Sequence, residues 1–400
     1  MRISTSMIYD RGVGAIQNQW KNILHTQQQV STGRRVLTPA DDPIASARAL
    51  EIGQTKAVNS QFAVNIGYAD DAMKLLESRL QSAGDVLHYV RELAVQAGNG
   101  AMAPEDLRYM ATDMKAQFEA MLALANSQDG TGDYIFGGHR SQQQPYDGGL
   151  SGVSYNGDQG ERTIQVSASR YMPVSLPGSD VFDRTLALNP DTVKLYAKPD
   201  NAGQGGPTIS AVDPALANPA TRYQFVYTDG TPGSYEVTKL GQDGTEVAMA
   251  PSTFPAGGSV TIEGITFDLS ASTVESGDAF EVFVPSTNLL NNMAMFASAL
   301  ESPGVSGMAG AVPFALETFD AGQENILKTR AQIGSQLTET EALASLGSDL
   351  DLQYASTLSG LQDVDYAEAI SRLTQQLTYL QAAQQSFMRV SGLSLFNYLS

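Results

Sequence analysis

Side chains that could act as nucleophiles, proton carriers or metal ligands are few in this 400-residue sequence and lie far apart. The absence of cysteine excludes disulfides, thiolate metal sites and a cysteine nucleophile. Imidazole chemistry is limited to three widely separated histidines, which are His25, His88 and His139. The spacings of zinc proteases, phosphate loops, nucleophile elbows and EF-hands do not occur. We therefore expect no enzyme activity, no metal site and no cofactor.

Paired carboxylates are the remaining chemical candidates, because two neighbouring acids can divide general-acid and general-base roles. Asp41 and Asp42 precede Pro43, while Asp363 and Asp365 precede a periodic apolar segment. Both are positions at which a helix is expected to begin, and there a carboxylate caps free backbone N–H groups. We interpret both pairs as helix caps.

The composition changes twice along the chain. The stretch 146–285 holds 11 of the 17 prolines and 17 of the 37 glycines, and it carries 17 acidic against 7 basic side chains. The flanks are poor in proline and rich in Ala, Gln, Leu and Ser, and the first 40 residues are basic. Such shifts indicate domain boundaries. The net charge of −19 disfavours nucleic-acid binding, since phosphate contacts need clustered Lys and Arg.

The N-terminal flank spaces its apolar residues by three and four, as in the a/d seam of a coiled coil. A first helix is predicted to end at Gly33, which suits a left-handed C′ position. A second is predicted from Pro43 to the turn at 98–100, and at 1.5 Å per residue it would form a rod of about 80 Å. A third, from Pro104, is predicted to fold back on the second. The outer seam consists of Val13, Ile16, Trp20, Ile23 and Val30. The predicted rod core consists of Phe62, Ile66, Met73, Leu76, Leu80, Leu87, Val90, Leu107, Met110, Met114 and Met121.

The C-terminal flank repeats this pattern. A short amphipathic helix is predicted from the spacing of Leu289, Met293, Phe296 and Leu300. The glycine-rich segment ending at Pro313 is predicted as a loop, and helices are predicted over about 314–359 and after Gly360. The last seam and the apolar end consist of Ile370, Leu373, Leu377, Leu380, Phe387, Leu393, Leu395 and Leu399.

Each seam could be a buried face within a helical bundle, but the outermost helices fit that explanation less well. Their other faces are rich in Gln, Ser and Thr with few i,i+4 ion pairs, so such helices are marginal alone in water. We infer that both terminal segments order only by association, with each other, with neighbouring copies or with both. The terminal seams are therefore the predicted assembly interface.

The middle of the chain is predicted as a β domain. Alternating patterns at 163–168, 222–237, 259–269 and 279–284 predict strands, with Gly264 at a turn or bulge. The predicted fold is an α+β multidomain protein, in which a long α-helical coiled-coil rod formed by both flanks carries an inserted all-β domain. The predicted domains are the terminal segments 1–42 plus 361–400, disordered in the monomer; a rod, 43–145 plus 286–360; and a projecting β-rich domain, 146–285.

No membrane-spanning helix or secretory signal peptide is expected. The longest apolar runs fall well short of the roughly 20 residues that a span requires, and the first residues lack an apolar h-region.

Several segments resemble a known family. QQVSTGRR at 28–35, followed by PADDP at 39–43, is similar to the N-terminal signature of flagellins and flagellar hook-associated proteins. DVDYAEA at 363–369, with the heptads after it and the final LSLFNYL, is similar to their C-terminal signature. DYIFGG at 133–138 resembles the hook–filament junction members, and GDAFEV at 277–282 resembles hook-associated proteins. The resemblance covers both flanks, whereas the β insert varies in such families.

The resemblance implies a structural adaptor of the bacterial flagellum, which forms the junction ring between hook and filament on which flagellin polymerises. It also implies export in an unfolded state through the flagellar type III apparatus to the cell exterior. The implied partners are identical subunits, the other junction protein on the hook side, flagellin on the filament side and an export chaperone at the C-terminal segment. No nucleic acid or membrane partner is implied. Flagellin itself and a cytosolic coiled-coil adaptor are the alternatives.

Overall fold

The structure, a computed structural model, describes residues 5–231, 233–269 and 273–396, with side chains except at 5, 6, 8 and 390–396. Its helices are α1 Thr5–Thr32, α2 Pro43–Ala97, α3 Pro104–Ala125, α4 Gly178–Phe182, α5 Leu289–Glu301, α6 Met308–Gln362 and α7 Tyr366–Phe396. Its strands are β1 Tyr146–Gly149, β2 Gly152–Tyr155, β3 Thr163–Ser167, β4 Arg170–Pro173, β5 Lys194–Ala197, β6 Thr208–Val212, β7 Thr221–Thr228, β8 Ser234–Leu240, β9 Glu246–Val247, β10 Thr253–Pro255, β11 Ser259–Ile262, β12 Ile265–Asp268 and β13 Ala279–Val284. The predicted class of helical flanks around a β insert is thereby confirmed.

The chain divides into two compact units. One contains Met1–Val64 with Leu343–Ser400, and the other contains Asn65–Ala342. The three predicted domains stay a prediction.

Two of the four candidate carboxylates cap helices, as expected. Asp42 Oδ1 accepts a hydrogen bond from the Ala45 N–H of α2 at 3.0 Å, and Asp365 Oδ1 accepts one from the Ala367 N–H of α7 at 2.9 Å. Both begin helices whose first N–H groups lack an intrahelical partner. The other two do not cap a helix N-terminus. Asp41 binds loop N–H groups, and Asp363 accepts from Ser359 Oγ at 2.6 Å.

Helix α3 buries a stripe that differs in part from the predicted seam. Leu107, Met110, Met114 and Met121 are buried as expected, but Gln117 and Leu124, which the same strict 3-4 spacing also predicts for the seam, are only partly buried. The stripe runs instead through Phe118 and Ala125. A straight helix of 3.6 residues per turn drifts away from a strict heptad, so its buried face shifts by one position toward the C-terminus.

Helix α5 forms where it was predicted, but it is buried on nearly every side rather than along one face. Its buried residues lie all round its circumference, and they include Leu289, Leu290, Met295 and Phe296. Its N-cap is Asn288, whose side chain accepts from the Asn291 N–H. A helix that is buried on nearly every side is enclosed by its neighbours rather than set on a surface.

Helix α6 begins earlier than predicted and runs through Pro313. Phe314 of α6 stacks on Phe283 of β13 with ring centroids 5.0 Å apart, and Phe319 meets Phe296 of α5 at 5.8 Å. Pro313 is the sixth residue of the helix. The first N–H groups of a helix have no intrahelical partner, so few hydrogen bonds precede the proline. Aromatic packing therefore outweighs the local preference for a break. Gly360 also lies inside α6 rather than before α7.

The main sheet of the second unit is antiparallel, in the order β10-β8-β7-β13-β5, with β9 added to β8. The predicted hairpin at 222–237 corresponds to β7 and β8, which pair from Arg222–Leu240 to Thr228–Ser234. A three-stranded sheet, β11-β12-β6, turns at Glu263 and Gly264, whose φ values are +43° and +80°. Two consecutive positive φ angles define the two-residue hairpin turn that was predicted at Gly264.

A buried ion pair joins the main sheet to the helices of the same unit. Arg222 of β7 and Glu281 of β13 are both fully buried, with Nη1 and Oε1 3.3 Å apart. Arg222 Nη2 also contacts Ser298 Oγ of α5 at 3.3 Å, and Glu281 Oε2 accepts from the Ser306 N–H at 3.1 Å. Burial lowers the pKa of Arg222 from its usual value, although Glu281 opposes this shift. This one charged pair therefore connects the main sheet, α5 and the loop before α6.

Asp183, which follows α4, is a carboxyl group in an apolar setting. Burial raises the pKa of Asp183 to about 7, while a hydrogen bond from the Tyr146 hydroxyl, 3.2 Å away, acts in the opposite direction. Burial likewise raises the pKa of Tyr146. The proton on Asp183 is therefore linked to the stability of this part of the fold.

Candidate assembly interface on the terminal helices

Helices α1 and α7 lie side by side in opposite directions. Tyr9 and Phe387 pack with ring centroids 5.1 Å apart, and Gln19 Nε2 donates to the Gln376 carbonyl oxygen at 3.2 Å. At the other end of the pair, the Gly33 carbonyl oxygen accepts from the Val364 N–H at 2.9 Å. Residues that come later in α1 contact residues that come earlier in α7, so these two helices form an antiparallel pair.

The residues between the two helices follow one seam on each. On α1 the seam runs through Gly12, Ile16, Gln19, Ile23, Thr26 and Val30. On α7 it runs through Ala369, Leu373, Gln376, Leu380, Ala383 and Phe387. Both follow the 4-3 spacing of a coiled coil. The approach is close at Gly12, where an added Cβ would come within 2.6 Å of the Phe387 ring.

This seam shares only every second position with the predicted one. Ile16, Ile23 and Val30 belong to both on α1, and Leu373, Leu380 and Phe387 belong to both on α7. The predicted residues in between are Val13, Trp20 and Gln27 on α1 and Ile370, Leu377 and Gln384 on α7, which are mostly large and apolar, whereas those in the structure are small or polar. Between the shared positions, α1 and α7 therefore contact each other through residues that are less apolar than the predicted ones.

The large apolar residues left out of the seam are half-exposed. The exposed fractions are 46% for Trp20, 54% for Leu24, 52% for Ile370 and 43% for Leu377. Each of these residues lies about 80–120° around its helix axis from the seam. On both helices this rotation has the same sense when the helix is followed from its N-terminus to its C-terminus. Because the helices are antiparallel, that common rotation brings all four to one side of the pair. We call this surface the apolar strip.

The loop between α1 and α2 closes one end of the pair. Gly33 ends α1 with a φ of +71°, as predicted for a left-handed C′ glycine. Arg35 donates through its N–H to the Gln362 carbonyl at 2.7 Å and through Nη2 to the Leu361 carbonyl at 2.8 Å. Its Nη1 lies 3.1 Å from Asp42 Oδ2. The positive charge of Arg35 therefore lies at the C-terminal end of α6, where it complements the helix dipole.

Asp41 fixes the shape of this loop. Its Oδ2 accepts from the N–H groups of Leu37 at 3.0 Å and Thr38 at 2.8 Å, and its Oδ1 lies 3.0 Å from His25 Nε2. The hydrogen bond from Thr38 is the main reason that the pKa of Asp41 lies below its ordinary value. The Ala45 N–H lowers the pKa of Asp42 in the same way. Both are acceptors in a folded loop, which leaves neither as a poised proton donor.

The predicted interface residues therefore fall into three groups. Ile23 and Leu380 are buried in the seam. Val13, Ile16, Val30, Leu373 and Phe387 are partly buried, and Trp20, Ile370 and Leu377 lie on the apolar strip. The side chains of Leu393 and Leu395, and the whole of Leu399, lie outside the described part of the chain. Leu24 was missed, because it does not fit the 3-4 spacing from which the seam was predicted.

Most of the predicted rod-core residues are buried. Phe62 is only partly buried, and the buried ones are Ile66, Met73, Leu76, Leu80, Leu87, Val90, Leu107, Met110, Met114 and Met121. Glu77 of α2 accepts two hydrogen bonds from the Arg330 guanidinium of α6, at 2.9 and 2.7 Å, within the second unit. Phe118 was missed in sequence, although its i+4 spacing from Met114 could have indicated it.

The histidines have ordinary structural surroundings. His88 Nε2 lies 3.1 Å from Gln323 Nε2, and the backbone N–H of His139 donates to Asp158 Oδ1 at 2.8 Å. The described residues do not bring three His, Asp or Glu side chains together as a metal site would. Within the described ranges, none of the helices combines the length and apolarity of a membrane span.

Comparison with known proteins places these features in context. Residues 3–141 match the bacterial flagellin N-terminal helical region. The chain is 28% identical over 396 residues to flagellar hook-associated protein 3 of Salmonella typhimurium, covering 99% of each chain. Crystal structures of FlgL from Xanthomonas campestris and of flagellar hook-associated protein-3 from Legionella pneumophila are each 25% identical to it. The first has a TM-score of 0.53 and covers 77% of this chain and 99% of its own. The second has a TM-score of 0.54 and covers 78% and 98%.

Proposed function

We infer that this chain belongs to the family of flagellar hook-associated protein 3, and we propose that it is a structural subunit of the hook–filament junction of the bacterial flagellum. The observation that carries this proposal is similarity along 99% of both chains, so that it includes both terminal helices and the β insert. On this basis the protein works outside the cell as part of the flagellum.

The working surface in this proposal is the antiparallel pair of α1 and α7. Its apolar strip leaves four large side chains about half in water. Full burial of such a side chain contributes roughly 1.5–3 kcal/mol, so covering the exposed halves would contribute about 4 kcal/mol per subunit before the costs of association. A contribution of this size is one part of the contact between copies, and further contacts between subunits have to supply the rest.

The proposed ring consists of identical subunits, with flagellin on one side and the other junction protein on the hook side. We further propose that the chain is exported unfolded, with an export chaperone on its C-terminal segment. The terminal segments would then become fully ordered as the ring forms, because burial in the ring offsets the conformational entropy of two long helices.

A catalytic role is not part of this proposal. The relatives are structural proteins of the flagellum. Of the two carboxylate pairs, which were the best chemical candidates, Asp42 and Asp365 cap helices, Asp41 accepts from loop N–H groups and Asp363 accepts from Ser359. We propose that the chain acts by assembly alone.

Flagellin is the nearest alternative function. The flagellin match covers the N-terminal region only, whereas hook-associated protein 3 matches the chain from end to end. Copy number separates the two: purified filaments composed mainly of this chain would refute the junction role. A cytosolic adaptor, the other alternative, should resist proteolysis along its full length.

Deletion and complementation test the proposal directly. Cells that lack the chain should build hooks but shed flagellin unpolymerised into the medium, because the filament has no platform to start from. Restoring the gene should restore filaments. Normal filaments in the deletion strain would overturn the proposal.

A further inference from the structure

The end of α1, the end of α6 and the start of α7 are joined by backbone hydrogen bonds within the first unit. The Gly33 carbonyl oxygen accepts from the Val364 N–H at 2.9 Å, and the Arg35 N–H donates to the Gln362 carbonyl oxygen at 2.7 Å. These two bonds flank an antiparallel β-bridge of one residue pair. We call this contact the clamp, and it consists of residues 33–35 and 361–364.

Side chains add to the backbone bonds of the clamp. Arg35 Nη2 donates to the Leu361 carbonyl oxygen at 2.8 Å, and buried Gln29 donates through Nε2 to the Arg35 carbonyl oxygen at 2.6 Å. Gly33 has a φ of +71°, and a Cβ added there would come within 2.9 Å of the Tyr366 hydroxyl oxygen. The clamp is therefore a specific structure, and position 33 favours glycine for both its backbone angle and its close neighbour.

The seam between α1 and α7 fits more than one register. The contacts between the two helices place Ile23 opposite Leu373. If α7 moved by one heptad, which is about 10 Å at 1.5 Å per residue, Ile23 would lie opposite Leu380. Val30 would then lie opposite Leu373. Because the seam repeats every seven residues, such a shift again brings apolar side chains together.

We propose that the clamp sets the register of α1 against α7. It joins α1 to the linker directly before α7, so a shifted register would have to break both backbone bonds. The burial of the α1 seam agrees with this role. Ile23 and Thr26, which lie toward the clamp, are buried, whereas Gly12 and Ile16 are only partly buried. The two helices are therefore most closely packed at the end that the clamp holds.

The register also decides how the apolar strip is arranged. A shift of one heptad would move Ile370 and Leu377 about 10 Å along the pair relative to Trp20. The strip would then present a different surface to a neighbouring subunit. This consequence rests on the proposed function, whereas the clamp itself is a property of the single chain.

Cross-linking between introduced cysteines measures the register, because the chain has no cysteine of its own. Gln19→Cys with Gln376→Cys reports the observed register, and Gln19→Cys with Ala383→Cys reports the shift of one heptad. A bis-maleimide that spans less than about 10 Å, applied to the dilute purified chain, should give at least tenfold more of the first product. Helices that open often enough to be cleaved by a protease are still trapped in the register in which they close. Equal yields of the two products, or no product from either pair, would overturn the proposal.

A double variant tests whether the clamp is the cause of this preference. Arg35→Ala removes the guanidinium bond to α6, and Val364→Pro removes the N–H that donates to the Gly33 carbonyl oxygen. The ratio of the two products should fall below twofold. Arg34→Ala is the matched control, since it removes the same charge from the neighbouring, exposed residue and keeps both bonds. It should keep the tenfold ratio.

Two results with these variants would overturn the proposal. A tenfold ratio that persists in the double variant would assign the register to the seam itself, where Gly12 leaves room for the Phe387 ring. An equal fall with Arg34→Ala would assign it to the positive charge of the loop. The ratio is measured on the purified chain, so it does not depend on filament formation. Failure of the unmodified gene to restore filaments would refute the proposed function and would leave the ratio unchanged.

Discussion

Replacing Leu377 by aspartate separates the surface used within the chain from the surface used between chains. Leu377 is 43% exposed, so about half of its apolar surface is already in water. Loss of the remaining burial should cost about 1 kcal/mol in the solitary chain, which corresponds to a melting shift of roughly 2–4 °C. In the proposed ring, the same substitution would place a carboxylate in an interface without a partner, at a cost of several kcal/mol. A cost of about 5 kcal/mol weakens a contact by roughly 10³–10⁴-fold.

The assay for Leu377→Asp combines thermal unfolding of the purified chain with filament counts in the complemented deletion strain. We expect a nearly unchanged melting temperature and a severe loss of filaments. Ala382→Asp is the matched control, since it adds the same charge at an exposed position about 140° around α7 from Leu377, away from the apolar strip. Filaments should persist with Ala382→Asp. A melting temperature lowered by more than about 10 °C would place Leu377 in the core of the solitary chain, and wild-type filament numbers would show that the apolar strip has no role in assembly.

Three further predictions test other parts of the molecule. Glu281→Gln leaves Arg222 buried without its counter-charge and should lower the free energy of unfolding by about 3–5 kcal/mol, as measured by urea denaturation. Glu339→Gln, which removes the half-exposed partner of Arg170, should cost about 1 kcal/mol or less, and equal effects would contradict the importance of burial. Because the pKa of Asp183 is about 7 in the folded chain against 3.8 ordinarily, its contribution to stability is fully present below about pH 4 and is lost as the pH rises through 7. Asp183→Asn should remove about 2–3 kcal/mol of the stability difference between pH 5 and pH 8, and an unchanged pH profile would exclude this linkage. Limited proteolysis of the solitary chain should leave a resistant core of about residues 45–360 with both ends removed early, and full-length resistance would contradict ordering on assembly.

The helices of the flanks could be predicted because local signals agree with the long-range pattern there. The Asp42 cap, Pro43 at the first helical position and Gly33 at a C′ position each have a local physical cause, and the structure contains all three. The hairpin at Glu263 and Gly264 follows from turn geometry in the same way. Elements of this kind need no knowledge of distant neighbours.

Elements that depend on distant neighbours were predicted less well. The helical start of α6 before Pro313 depends on aromatic contacts with β13 and α5, which a local reading of proline cannot include. The buried Arg222–Glu281 pair joins residues far apart in sequence, and neither residue type indicates burial.

The shift of the terminal seams explains why the apolar pattern of the flanks exceeds what one helical pair requires. On each terminal helix, the residues common to both seams, such as Ile16, Ile23 and Val30 on α1, lie between two other rows of residues. One of these rows is small or polar, and the other is mostly large and apolar. A prediction from apolar periodicity selects the larger residues. The helices α1 and α7 instead approach each other through the smaller ones, because Gly12 and the other small residues of the seam permit a short distance between the helices. An antiparallel pair formed in this way keeps Trp20, Ile370 and Leu377 on one outer side. In the proposed assembly, a subunit pairs α1 with α7 and also binds its neighbours, which needs two seams on each helix, and the apolar pattern of both helices fits that need.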